Sequence, residues 1–68
     1  MSRKSAVALL VATRRALITE IQEKPPYDTR HLDQLLSELE RLLLDVRVGR
    51  IREFDLEYPR RVHVIVSS

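Results

Sequence analysis

The sequence predicts an α+β protein: an antiparallel helical hairpin followed by a C-terminal β-hairpin, packed as two layers in one domain over residues 1–68 and completed by homodimerisation. Three observations carry that expectation. Over 32–46 the residues Leu32, Leu35, Leu39, Leu42 and Val46 recur three and four positions apart, Leu36 and Leu43 widen the stripe, and the opposite face holds Asp33, Gln34, Ser37, Glu38, Glu40, Arg41 and Asp45. Pro25 and Pro26 separate this amphipathic segment from an earlier one of similar length. Beyond Gly49 the apolar period falls from 3.6 residues to 2, the mark of strands.

The first helix is expected over 5–23. Ser2 or Ser5 can cap it, and Val7, Leu10, Val11, Leu17, Ile18 and Ile21 share a face at helical spacing. Arg14 falls inside that stripe. Its methylenes can lie along apolar surface with the guanidinium sent outward, or the guanidinium can meet a carboxylate of the second helix or of another subunit. Leu9 leaves the stripe and is a candidate contact for another chain. A basic start before the apolar run 6–12 resembles the opening of a secretory signal, but Thr13, Arg14 and Arg15 interrupt the run at once. It also falls far short of the roughly 20 apolar residues that span a bilayer. No membrane association is expected.

Each proline disfavours helical backbone in its predecessor and lacks an amide donor, so 24–28 is a short, stiff loop. The second helix is expected over 29–47, capped by Asp28 or Thr29, with Arg47 suiting its negative end and Gly49, the sole glycine, as the left-handed residue after it. At 1.5 Å per residue both helices come to about 27–29 Å, and matched lengths with a short connection give an antiparallel pair.

Strands are expected over 51–58 and 62–67. Phe54, Leu56 and Tyr58 alternate with Glu53, Asp55 and Glu57, and Val62, Val64 and Val66 repeat the alternation. A three-residue loop with Pro59 at position i+1 of a type I turn, and Arg61 as a poor substitute for the usual left-handed glycine, sets Tyr58 opposite Val62, Leu56 opposite Val64 and Phe54 opposite Val66. It also sets Glu57 opposite His63 and Asp55 opposite Ile65 on the outer face.

A chain of this size buries only about 60 % of its unfolded surface, and one core seldom supplies more than ~3–5 kcal/mol below roughly 70–80 residues. Small folds add disulfides, metals or partner subunits; cysteine is absent, which leaves the partner and fits a reducing compartment such as the cytoplasm. The last strand has no internal proline or charge except His63, so its edge is expected to lack protection and to pair with its own copy across a two-fold axis. The rival packing joins the helical hairpins into a four-helix bundle, using Leu9 and Leu44.

Charge is laid out in alternating blocks. Residues 1–24 hold five basic and two acidic side chains, 25–46 two and five, and 47–68 five and three, a pattern suited to self-pairing or a mixed-charge partner. Ten of the twelve basic residues are arginine, so bidentate contact with carboxylate or phosphate is available.

Signals for chemistry are weak. Asp28 and His31 share a turn but lack a third metal ligand at suitable spacing, and the serines sit in no strand-turn-helix elbow with a base in reach. A single glycine excludes a glycine-rich phosphate cradle. No enzyme, cofactor, metal or small-molecule substrate is expected. The expectation is a small protein-binding module acting as a homodimer, an adaptor, inhibitor or regulatory subunit of the kind phages and bacteria make, with dimer or partner contacts at Leu9, Leu44, Ile51, Val62, Val64, Ile65 and Val66. The alternative is a nucleic-acid-binding regulator using Arg47, Arg50, Arg52, Arg60 and Arg61, with Arg3 and Lys4 on a mobile N-terminus. Against it stand the acidic outer face of the ribbon and the diproline loop, which is not the tight turn of a helix-turn-helix.

Overall fold

Ser2 starts the first helix by accepting the Ser5 amide on its hydroxyl oxygen at 3.1 Å, which satisfies one of the free donors of the opening turn. The computed structural model describes residues 1–58 and 60–67, in the order α1 (Arg3–Glu23), a 3₁₀ turn (Pro26–Asp28), α2 (Arg30–Arg47), β1 (Glu53–Leu56) and β2 (Val62–Ile65). The two helices pack on each other, and the strands form an antiparallel two-stranded sheet after them. Helix α1 opens ahead of the expected start, so Arg3 and Lys4 belong to its first turn and not to a loose N-terminal arm.

The buried line of α1 is Ala6, Leu10, Thr13 and Leu17, with Val7, Leu9 and Ile21 half-buried beside it. That is a rotation from the expected stripe, which had Val11 inside; Val11 is 38 % exposed. The reason lies in Thr13. Its hydroxyl donates to the Leu9 carbonyl one turn earlier at 2.8 Å, so a residue polar in the sequence enters the core with its donor satisfied. Arg14 takes the alternative open to it, meeting Glu40 of α2 at 3.6 Å within the same chain.

The loop turns through Pro26, Tyr27 and Asp28, and the Asp28 amide donates to the Pro25 carbonyl. Thr29 holds the N-cap position of α2, but its side chain caps nothing. Its hydroxyl instead shares its one proton between the Pro26 carbonyl and an Asp33 carboxylate oxygen, both at 3.1 Å, tying the loop to the first turn. At the other end Gly49 takes φ +75°, the Arg50 amide donates to Asp45 and the Gly49 amide to Val46. This is the Schellman arrangement, and it needs a residue without a Cβ penalty at Gly49. Arg50 adds an ion pair to Asp45 at 3.8 Å across the same turn.

The ribbon keeps its expected faces and changes its register. Phe54 pairs with Val64, Leu56 with Val62, Asp55 with His63 and Glu53 with Ile65, two residues along from the pairing a three-residue loop would impose. The pairing begins at Leu56 and Val62, so the strands are joined by more than three residues, and both are shorter than expected. Arg61 is not left-handed, and the turn position assigned to Pro59 lies outside the described residues. A slip by two leaves every side chain on its own face because the strand period is two. Phe54, Leu56 and Val64 are therefore buried, joining Ala6, Leu10, Leu17, Leu32, Leu39 and Val46 in one core.

The edge of β2 is not bare. The Ser67 amide donates to the Met1 carbonyl at 2.6 Å, the Met1 ammonium donates to the Ile65 carbonyl at 3.2 Å, and Ser2 forms a parallel bridge with Ser67. The start of the chain thus covers the C-terminal end of the edge expected to be unprotected. The molecule measures 40 × 17 × 16 Å and exposes 5251 Å². A compact monomer of 8.0 kDa is expected to expose about 4,450 Å². Roughly 800 Å² is surplus on that scale.

Leu17→Ala is expected to cost about 2–5 kcal/mol, because Leu17 is fully buried in the core that the helices and ribbon share. In so short a chain that removes most of the stability. Tyr27→Ala, at an almost fully exposed loop residue, should stay within about 0.5 kcal/mol of the parent. Urea unfolding followed by circular dichroism separates the two.

Candidate functional site

Three surfaces carry features that the core does not use. The first is the outer face of the ribbon, where alternation places Glu53, Asp55, His63 and Ile65. His63 Nδ1 lies 2.6 Å from Asp55 Oδ1, its direct cross-strand partner, and Nε2 lies 4.0 Å from Glu53. The hydrogen bond to Asp55 holds the imidazole above its ordinary pKa; it outweighs the opposing desolvation, and the negative charges of Asp55 and Glu53 add to it. Ile65 stands beside this charged group with 61 % of its surface exposed, opposite Glu53.

Backbone directions decide what the strand edge can offer. The Val66 amide donates to Arg52 on the β1 side, whereas Ser67 and Ile65 use groups on the other side to meet Met1. Successive residues alternate in this way, so Val62, Val64 and Val66 spend their backbone groups on β1 and only His63 and the Ile65 amide remain at the outer edge. Val64 is buried, Val66 is half-buried and Val62 is 38 % exposed. Leu9 and Ile51 are half-buried against their own core. Among the expected contact residues, Leu44 and Ile65 present the largest free side chains.

The second surface is the C-terminal end of α2. Leu44 and Val48, one turn apart, are 62 % and 66 % exposed, and with Arg41, Asp45 and Arg50 they line an open hollow of about 340 Å³. The third is basic. Arg47, Arg50 and Arg52 are exposed near the junction of α2 and β1, where Arg3 and Arg52 flank a hollow of about 390 Å³ also lined by Gly49, Ile51, Val66 and Ser67. Arg60 and Arg61 are exposed at the far tip of the ribbon. The strands hold the two arginine groups at opposite ends, so one monomer presents two separate patches.

Between helices and ribbon a cavity of about 110 Å³ is lined by Thr13, Leu17, Leu35, Leu39, Leu42, Leu56 and Tyr58, with Glu38, Asp55 and Glu57 at its margin. The Tyr58 hydroxyl donates to Glu20, which Lys24 also approaches at 3.5 Å. That hydrogen bond lowers the Glu20 pKa and raises that of Tyr58. Nothing in the sequence marks this link, since Tyr58 reads as part of the ribbon's apolar face and Glu20 as an ordinary surface carboxylate on a distant element. Its effect is structural: it fastens the ribbon tip to the end of α1. Among the described residues no three His, Cys, Asp or Glu side chains converge as metal ligands do, and no helix is long and apolar enough to cross a membrane. His31 is exposed on the first turn of α2.

No protein-family model matches the sequence, and comparisons with curated proteins and with solved structures found no match.

The Asp55 hydrogen bond has a titration consequence. Protonated His63 is favoured in the folded state, so this stabilisation is present below about pH 6.5, the unfolded value, and is lost as pH rises through the higher folded value. Asp55→Asn is expected to move the His63 midpoint downward in an NMR titration of its ring protons.

Proposed function

We propose that this chain is a small, non-enzymatic protein-binding module working as a homodimer: an adaptor, inhibitor or regulatory subunit. The observation that carries the reading is Ile65, a large apolar side chain exposed on a face otherwise built from Glu53, Asp55 and His63. A partner offering a small apolar pocket rimmed by cations suits it, with the pocket supplying affinity and the charges supplying orientation. A second apolar pair, Leu44 and Val48, lies on the helical layer, so the molecule has separate surfaces for its own copy and for another protein. The cysteine-free composition suits a reducing compartment, and the cytoplasm is the proposed location.

A second reading, binding to nucleic acid, is supported by Arg47, Arg52, Arg60 and Arg61, which are exposed and have no ion-pair partner among the described residues. The acidic outer face and the separation of the patches favour the protein partner.

Affinity capture from the native cell extract after nuclease treatment tests the choice. A protein retained by the parent chain and lost with Ile65→Lys is the expected result; no retained protein, or equal retention by the variant, would count against it. Binding of generic DNA that weakens steeply with salt, by fluorescence anisotropy, would instead favour the arginine patches.

A further inference from the structure

We propose that the chain dimerises through the side of its helical hairpin turned away from the ribbon, with α1 of each copy lying on α2 of the other; the proposal deepens the homodimer reading above and rests on it. Val7, Val11, Arg14 and Ile18 follow one another at intervals of four, three and four, and so do Leu36, Glu40, Leu43 and Arg47. Each set therefore runs as one line along its helix. The contact between Arg14 and Glu40 sets the two lines side by side, and because the helices are antiparallel, Val11 is level with Leu43 and Ile18 with Leu36. The ribbon lies on the other side of the hairpin, against Thr13, Leu17 and Glu20 of α1 and Leu35 and Leu42 of α2. Val7, Ile18, Leu36 and Leu43 remain half-buried, with Val11 and Leu44 exposed around them.

Charge selects the occupant and its orientation. A two-fold axis along the helices brings Val11 to the partner's Leu43 and the adjacent Leu44, Arg14 to the partner's Glu40 and Ile18 to the partner's Leu36. The polar layer then closes as a ring of alternating arginine and glutamate. It also places the predominantly basic first segment of each copy on the predominantly acidic second segment of the other. An axis across the helices would lay α1 on α1, arginine toward arginine. A central ion-pair layer of this kind contributes register more than stability, and the apolar residues on both sides of it supply the burial. The β2 edge is the weaker candidate, because Met1 already takes its Ile65 carbonyl and Ser67 amide.

The test uses the full chain and begins with sedimentation at micromolar concentration. Parent protein is expected to be dimeric, and a monomer would overturn both the homodimer reading and this interface. Arg14→Glu and Glu40→Arg, each checked for helicity by circular dichroism, should each weaken the dimer at least about tenfold, while an equimolar mixture restores it as a heterodimer. Dimers of either variant as stable as the parent would overturn the proposal. A cross-linking arm decides the matter if either charge variant fails to fold. The chain has no cysteine, so Val11→Cys and Leu44→Cys introduce unique thiols at exposed positions. A short bis-maleimide should join the mixture of the two into a covalent dimer and leave each variant alone largely monomeric. Efficient coupling of Ile65→Cys to itself, with none between Val11→Cys and Leu44→Cys, would place the two-fold at the strand edge and overturn the interface while leaving the homodimer intact.

Discussion

One thin apolar layer supports both halves of this fold. Leu10 and Leu17 of α1 and Leu39 and Val46 of α2 close the helical hairpin, and Phe54, Leu56 and Val64 lie in the same cluster, so the helices are core for the ribbon and the ribbon is lid for the helices. Neither half has enough buried surface to stand alone: a two-stranded sheet is marginal in water, and a pair of helices with one covered face has little more. The devices around that layer hold its pieces in register. Ser2 sets where α1 begins, Gly49 sets the angle at which the chain leaves α2, and the link from Tyr58 to Glu20 fixes the far end of the ribbon.

The chain ends take part in the same economy. A two-stranded ribbon presents two edges, and the outer edge of β2 carries little of the charge or proline that discourages association. Residues 1–2 lie along part of it, joined to residues 65–67 by the bonds from Ser67 to Met1 and from Met1 to Ile65. Apolar side chains also stand exposed on the helical side at Val11, Leu44 and Val48 and on the outer ribbon face at Ile65. These exposed apolar residues thus stand on two separate sides of the molecule, one helical and one on the ribbon.

Legibility in the sequence varied from element to element for identifiable reasons. The extent, buried stripe and end of helix α2 were legible because seven apolar residues share one stripe and the single glycine follows its end, whereas the side-chain cap expected of Asp28 or Thr29 is not made. Helix α1 was legible in extent but rotated in detail. Its buried face includes Ala6 and Thr13, a small residue and a polar one, and a periodicity read from large apolar residues passes over both. The ribbon's faces were legible because a period of two survives any even shift, whereas the register depended on loop length, for which Pro59, Arg60 and Arg61 provide no decisive turn signal. Of the surface features, Ile65 and Leu44 could be found as residues off the inward stripes. The Asp55 partner of His63 could not, because it follows from the register.

The amino-acid sequence by itself determined the element order, the two-layer class, the inner face of each strand and the place where α2 ends. These depend on local backbone preference and on the spacing of apolar side chains, both readable along the chain. Only the tertiary structure decided the strand register, the closing of the β2 edge by residues 1–2, the choice of Arg14 for Glu40 and the fastening of Tyr58 to Glu20. Each joins groups distant in sequence, and which of several equally suitable partners a polar group meets is settled by how the layers stack.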